Sequence, residues 1–269
     1  MSIESATTPS ALFCLLLLSC AACATPVTPV HDREIVDLTW TLDETTIAWP
    51  TSPGFSLETQ FDGVTAGGWY YRSHIIHGPE HGGTHIDAPV HFYEGRQATD
   101  EIPLRRLIGP GVTVDVVEAC AADRDYLIGI DDFEAWERAH GTMPDGAIVL
   151  LHTGFGAFWP DRDRYMGTAE LGPDAVPKLH FPGLDPASVD WLVTRKKIRA
   201  IGLDTPSIDH GQSTDFASHV ALFEHNVPVF ENVARLEQLP ARDFTAIALP
   251  AKIGGGSGGP LRIIALIDR

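Results

Sequence analysis

Cysteine is scarce in this 269-residue chain, and three of its four cysteines, Cys14, Cys20 and Cys23, fall within the first 24 residues. Only Cys120 is left in the body, so no internal disulfide framework can form there. Basic residues are also few: 19 Lys and Arg face 36 Asp and Glu, for a net charge of -17. That balance excludes nucleic acid as a partner, because phosphate binding needs a basic surface. Long apolar runs are missing as well. The longest, residues 11–24, is too short to span a bilayer comfortably and reads as the core of a signal peptide. Ala22, Cys23 and Ala24 form a small-x-small cleavage site, and residues 17–20 resemble a lipobox ending at Cys20. Residues 1–10 lack the Lys or Arg of an ordinary leader. The expectation is an exported, periplasmic protein, with membrane contact only through a lipid on Cys20.

What is present points to one globular unit. Hydrophobic residues make up 44% of the chain, enough for a sizeable core. No internal repeat or low-complexity linker interrupts the body. The expected organisation is a leader over 1–24, a linker over 25–33 and one domain over 34–269.

Short β-branched runs bounded by Gly, Pro or Asp predict strands over 34–38, 112–117, 147–151, 200–203, 227–230, 245–249 and 262–267. Helical patterns lie over 131–139, 185–194 and 213–224; Asp185 with Pro186 is an N-cap followed by proline at the first helical position. The fold class is therefore mixed α/β: a β-rich sheet or partly open barrel covered by helices.

The chemistry concentrates between His81 and His91. His81, His85, Asp87 and His91 share odd parity, so an extended chain points them to one side. Gly82, Gly83 and Pro89 disfavour a helix here. A straight strand would hold His81 about 13 Å from His85 at ~3.3 Å per residue. Ligand bonds near ~2 Å cannot bridge that gap. The chain must double back, and Gly82 and Gly83 allow it. Two imidazoles and a carboxylate suit Zn2+ or Mn2+, which can lower the pKa of a bound water. His91 is placed to move a proton. Taken singly, each of the twelve histidines reads as a surface or core residue; four ligand-type residues within eleven positions do not.

This segment resembles the H-x-G-T-H-x-D-x-P-x-H motif of the metal-dependent cyclase/hydrolase superfamily, which includes bacterial kynurenine formamidases and isatin hydrolases. Residues 36–38, 152–154 with Phe158 and Trp159, 180–184, and 202–209 resemble further family segments, although His152 stands where Arg is common. So does His219, followed twelve residues later by Glu231 and then Asn232. The resemblance implies a swivelling β/β/α-type fold and one or two divalent ions. His81, His85 and Asp87 would hold the first ion, and Asp87, His219 and Glu231 a second. In single-manganese members His219 and Glu231 would instead serve acid-base or positioning roles. His91 would be the catalytic proton carrier. Residues 45–53 and 78–83 resemble the isatin hydrolase branch most.

The implied substrate is a small aromatic amide, isatin first and N-formylkynurenine second, and the implied assembly is a homodimer or larger homo-oligomer. A reading of another class is an exported binding lipoprotein without catalysis. Trp69, Phe92 and Trp159, with Trp49 and Tyr70, are expected to line an aromatic pocket. Ser257 lies in a glycine-rich loop over 254–259, whose N–H groups are expected near an oxyanion or a product carboxylate.

Overall fold

The computed structural model describes residues 29–267; the leader and most of the linker lie outside the described residues. Twelve strands follow in chain order: β1 (Glu34–Asp37), β2 (Ser56–Val64), β3 (Tyr70–His77), β4 (His85–Asp87), β5 (Ile108–Asp115), β6 (Leu127–Ile128), β7 (Ile148–His152), β8 (Gly183–Leu184), β9 (Ala200–Leu203), β10 (Val229–Glu231), β11 (Phe244–Pro250) and β12 (Gly258–Ile267). Five α-helices accompany them: α1 (Leu104–Leu107), α2 (Val117–Ala122), α3 (Ile130–His140), α4 (Arg162–Met166) and α5 (Ala217–Glu224).

Eight strands form one sheet in the order β1-β12-β11-β5-β7-β9-β10-β4. The first part of β12 also pairs with β4, through Gly258 opposite Asp87 and Pro260 opposite His85. That pairing closes seven strands into a barrel-like ring and leaves β1 outside. The β5-β7-β9-β10 run is parallel and the remaining pairs are antiparallel.

Strand alternation divides the core in two. Ile86, Ile148, Leu150, Phe230, Ala246, Ala248, Ile263 and Ala265, from five strands around the ring, pack together inside it. Val149, Leu151, Ile201, Leu203 and Val229 face outward and pack under the helical layer, with Phe133, Trp136, Trp191 and Phe223. The same parity sends His85 and Asp87 outward while Ile86 points in, and Glu231 outward while Phe230 points in. The site therefore sits on the outer face of the barrel, between β4 and β10.

The β2–β3 hairpin is an addition to the predicted strands. It pairs only with itself and is exposed along nearly its whole length. With no buried face, it carries no regular apolar alternation to read. The helix expected over 185–194 is a 3-10 turn (Pro186–Ser188) running into a π-type turn (Trp191–Arg195), with Asp185 capping Ala187 as expected. Over 213–224 the helix starts only at Ala217, because Phe216 is left-handed at φ +52°. Among the described residues, no helix is long and apolar enough to cross a membrane.

Candidate active site

The chain doubles back at Gly83, whose φ is +60°. Gly82 bridges to Ala48, and Gly83 donates its N–H to the carbonyl of Ile47 at 3.0 Å. The fold-back brings the rings of His81 and His85 to a centroid separation of 5.3 Å. His81 Nδ1 then lies 2.7 Å from Asp87 Oδ1, and His85 Nε2 lies 3.1 Å from the same oxygen. The carbonyl of Gly83 accepts from His85 Nδ1 at 2.9 Å, which turns Nε2 toward Asp87.

The other half of the cluster comes from β10 and α5. His219 Nε2 lies 3.0 Å from Asp87 Oδ2 and 3.2 Å from Glu231 Oε1. Glu231 Oε1 also accepts the N–H of Ile208 at 2.8 Å, while Oε2 lies 3.4 Å from His85 Nε2. Two sets of ligand atoms thus converge, His81/His85/Asp87 and Asp87/His219/Glu231, each within 4.8 Å, with Asp87 shared.

These residues fit a divalent cation. His85 Nε2 is buried and, despite its carboxylate neighbours, makes no hydrogen bond of good geometry. A buried polar atom left without a partner is costly; an ion at the shared focus would satisfy it. The electrostatics agree. Burial opposes protonation of His85, yet Asp87 and Glu231 outweigh it and carry its pKa up to about 10. Burial likewise opposes charge on His219, but Asp209, Asp87 and Glu231 hold its pKa well above the ordinary value. Burial opposes charge on Asp87, yet its pKa stays well below the carboxylate range through the charge of His81 and hydrogen bonds from His219 and His81, with His85 close by. The cluster draws positive charge.

His91 follows in the 3-10 turn Pro89–His91. Its ring stacks on His81 at 3.9 Å and faces the cavity. Burial foremost pushes its pKa down to about 4, so it is neutral near pH 7. The cavity above the cluster measures about 240 Å³ and is walled by Ile47, Trp49, Phe92, Pro206 and Phe216. Among the described residues lining it there is no Lys or Arg.

Of the residues expected to bind substrate, Phe92 lines this cavity, as does Trp49. Trp69 does not. It sits at the hairpin turn, 64% exposed, beside the equally exposed Tyr70. Trp159 is also off the cavity wall: it stacks on Trp40 at 5.4 Å and meets Tyr165 edge-on. Ser257 is not a wall residue either. Its hydroxyl donates to Glu80 at 2.6 Å and lies 3.0 Å from His81 Nε2, so it orients the ring of His81.

Three N–H groups of the glycine-rich loop are not free to cradle an anion. The N–H groups of Gly255, Gly256 and Ser257 are already bonded to Asp100, Ile253 and Glu80. Glycine is required at 258 because a Cβ there would fall 2.5 Å from His81 Cε1. The resembling segments 152–154 and 202–209 meet through Asp204, which accepts from Thr153 N–H, Thr153 Oγ1, Gly154 N–H and Gly156 N–H. Asp204 clamps a loop and does not line the cavity.

A buried cluster that draws cations, set beneath a small aromatic cavity, is the equipment of a metal-dependent hydrolase. The Cyclase family model matches residues 36–210, and the chain belongs to that family. It is 30% identical to isatin hydrolase of Roseibium aggregatum, over 88% of this chain and 92% of that one. It is 31% identical to kynurenine formamidase of Salinibacter ruber, over 68% of this chain and 74% of that one. Its fold superposes on isatin hydrolase A from Labrenzia aggregata, solved with benzyl benzoate, with a TM-score of 0.79 at 30% identity, covering 89% of this chain and 95% of that one. The chain is an enzyme, a hydrolase of C–N bonds other than peptide bonds. The reading as a non-catalytic binding protein finds no support.

Proposed function

We propose that this hydrolase opens a compact, neutral, cyclic aryl amide, with isatin the first choice. The observation that carries this reading is the cavity itself. At about 240 Å³ it is below the ~300–1,000 Å³ usual for ligand pockets. Its aromatic walls suit a flat ring, and no Lys or Arg among the described lining residues offers a partner for a carboxylate. N-formylkynurenine, a charged amino acid, would bring an α-carboxylate into that space unpaired.

His81, His85 and Asp87 would hold one divalent ion, Mn2+ or Zn2+, and Asp87, His219 and Glu231 a second. Bound there, such an ion would supply Lewis-acid polarisation of the amide carbonyl and a lowered pKa for water. The chain's residues do the rest. Trp49, Phe92 and Phe216 hold the ring and exclude water from its faces. His91 serves as the proton carrier, because it faces the cavity and is held against His81. Hydrolysis gives the carbonyl carbon a hydroxyl and the nitrogen a proton; His91 takes the proton from water and returns it to the departing nitrogen. Ser257 keeps His81 in register.

An absorbance assay on isatin and N-formylkynurenine side by side tests this. Isatin should be favoured by at least about a hundredfold in kcat/KM, the scale set by leaving a charged group unpaired. A preference for N-formylkynurenine would transfer the assignment to an arylformamidase.

Two further elements belong to the same proposal. A second copy of the chain is the partner we assign to the β2–β3 hairpin, supported by its exposed Leu57, Phe61, Val64, Trp69 and Tyr70. Light scattering with size-exclusion chromatography checks it: a monomer would refute it. Export to the periplasm, with a lipid on Cys20, is checked by fractionation and palmitate labelling.

A further inference from the structure

Asp209 lies within the loop between β9 and α5 and is itself buried. Its Oδ1 accepts the N–H of Ser218 at 2.9 Å. Its Oδ2 accepts the N–H of His219 at 3.3 Å and lies 2.5 Å from Nδ1 of the same imidazole. Both residues stand in the first turn of α5. One carboxylate therefore fixes where the backbone of His219 starts and which way its ring is turned.

The other groups packed on His219 offer Nδ1 nothing. Phe92 stacks on the ring at 4.6 Å, Phe223 meets it at 5.3 Å and Phe216 at 6.4 Å, and His91 meets it edge-on at 6.3 Å without a hydrogen bond to Nδ1. A carboxylate only accepts, so a singly protonated His219 keeps its proton at Nδ1. The lone pair is then on Nε2, which faces Asp87 and Glu231.

We propose that Asp209 is the positioning residue that makes His219 an Nε2 ligand, and that it thereby determines whether Asp87, His219 and Glu231 take up a cation. The inference rests on reading the cluster as a metal centre. Asp209 is absent from the cavity wall and does not touch substrate. Its action runs through the imidazole, as outer partners of metal-bound histidines generally act.

Asp209→Asn is the test. An asparagine keeps one oxygen to cap Ser218. It replaces the other with an amide NH2, which needs the lone pair on Nδ1 and drives the ring proton to Nε2. Zn2+ serves as the diamagnetic probe. In the Zn2+-loaded wild type, 15N spectra should show the His219 ring protonated at Nδ1 and ligated through Nε2. In Asp209→Asn that ligation should vanish. Calorimetric Zn2+ affinity at the same triad should fall by about 10–100-fold, the usual scale for such partners.

The wild-type spectrum needs no variant, so a misfolded Asp209→Asn leaves the idea exposed. Nδ1 without a proton in the Zn2+-loaded wild type would overturn it. Unchanged affinity in a folded Asp209→Asn would do the same. A wild type that binds Zn2+ with His219 unligated defeats this proposal alone. A wild type that takes up neither Zn2+ nor Mn2+ defeats the reading of the metal centre beneath it.

Discussion

Glu231 on β10 stands directly opposite His85 on β4 in an antiparallel pairing, and its Oε2 lies 3.4 Å from His85 Nε2. Residues far apart in sequence thus become a cross-strand pair on the outward face of the barrel. The pairing joins the two candidate triads into one cluster, with Asp87 supplying an oxygen to each.

The two triads can be separated by mutation. His219→Ala or Glu231→Gln should weaken cation binding at Asp87/His219/Glu231 and leave His81/His85/Asp87 able to bind. Metal equivalents per chain, counted by elemental analysis, should fall without reaching zero. Complete loss in both variants would show that a single ion needs all five residues.

His91 should separate chemistry from metal binding. His91→Gln is expected to lower kcat by about 10²–10⁴, the range for a lost general acid-base group. Its metal content should match the wild type. Metal analysis alongside steady-state kinetics checks both.

Phe216 pairs an unusual backbone with a place on the cavity wall. At φ +52° it occupies a conformation that is unusual for a bulky side chain, and its ring lies 4.9 Å from that of Phe92. Phe216→Ala should raise KM by about tenfold, the equivalent of a lost aromatic contact near ~1.4 kcal/mol, and leave kcat within a few-fold. Phe216→Gly should bind substrate as poorly but melt higher than Phe216→Ala, because glycine tolerates that φ.

The turn that assembles the cluster should resist substitution. At Gly83 a Cβ would lie 2.7 Å from Leu42 Cδ2 and the φ is +60°. Gly83→Ala is expected to cost at least about 1–2 kcal/mol from backbone strain alone. A melting temperature lowered by several degrees, with weaker cation binding, is the expected result; an unchanged melt would show that the turn relaxes freely.

How much of this was legible in the sequence depends on what each residue touches. The strand over 200–203 is buried throughout and wholly apolar or small, and it forms as predicted. The bend at Gly82 and Gly83 followed from the reach of an extended chain against the length of a ligand bond. Glu231 did not follow from spacing: its place depends on strand register, and only the family resemblance pointed to it. Trp69 and Trp159 lie off the cavity wall of this chain, because aromatic residues serve cavities, cores and exposed hairpins alike. Asp209 was visible within a resembling segment, but a second-layer carboxylate leaves no spacing signal of its own. The glycine run resembled an anion loop until its N–H groups were seen bonded to Asp100, Ile253 and Glu80.

Asp87→Ala offers the most direct measurement, because Asp87 belongs to both triads. Elemental analysis and isatin turnover should be read on the same sample. The expected result is no bound Mn2+ or Zn2+ and no hydrolysis, beside a wild type that has both. Isatin opened at the wild-type rate by Asp87→Ala protein free of metal would contradict the account.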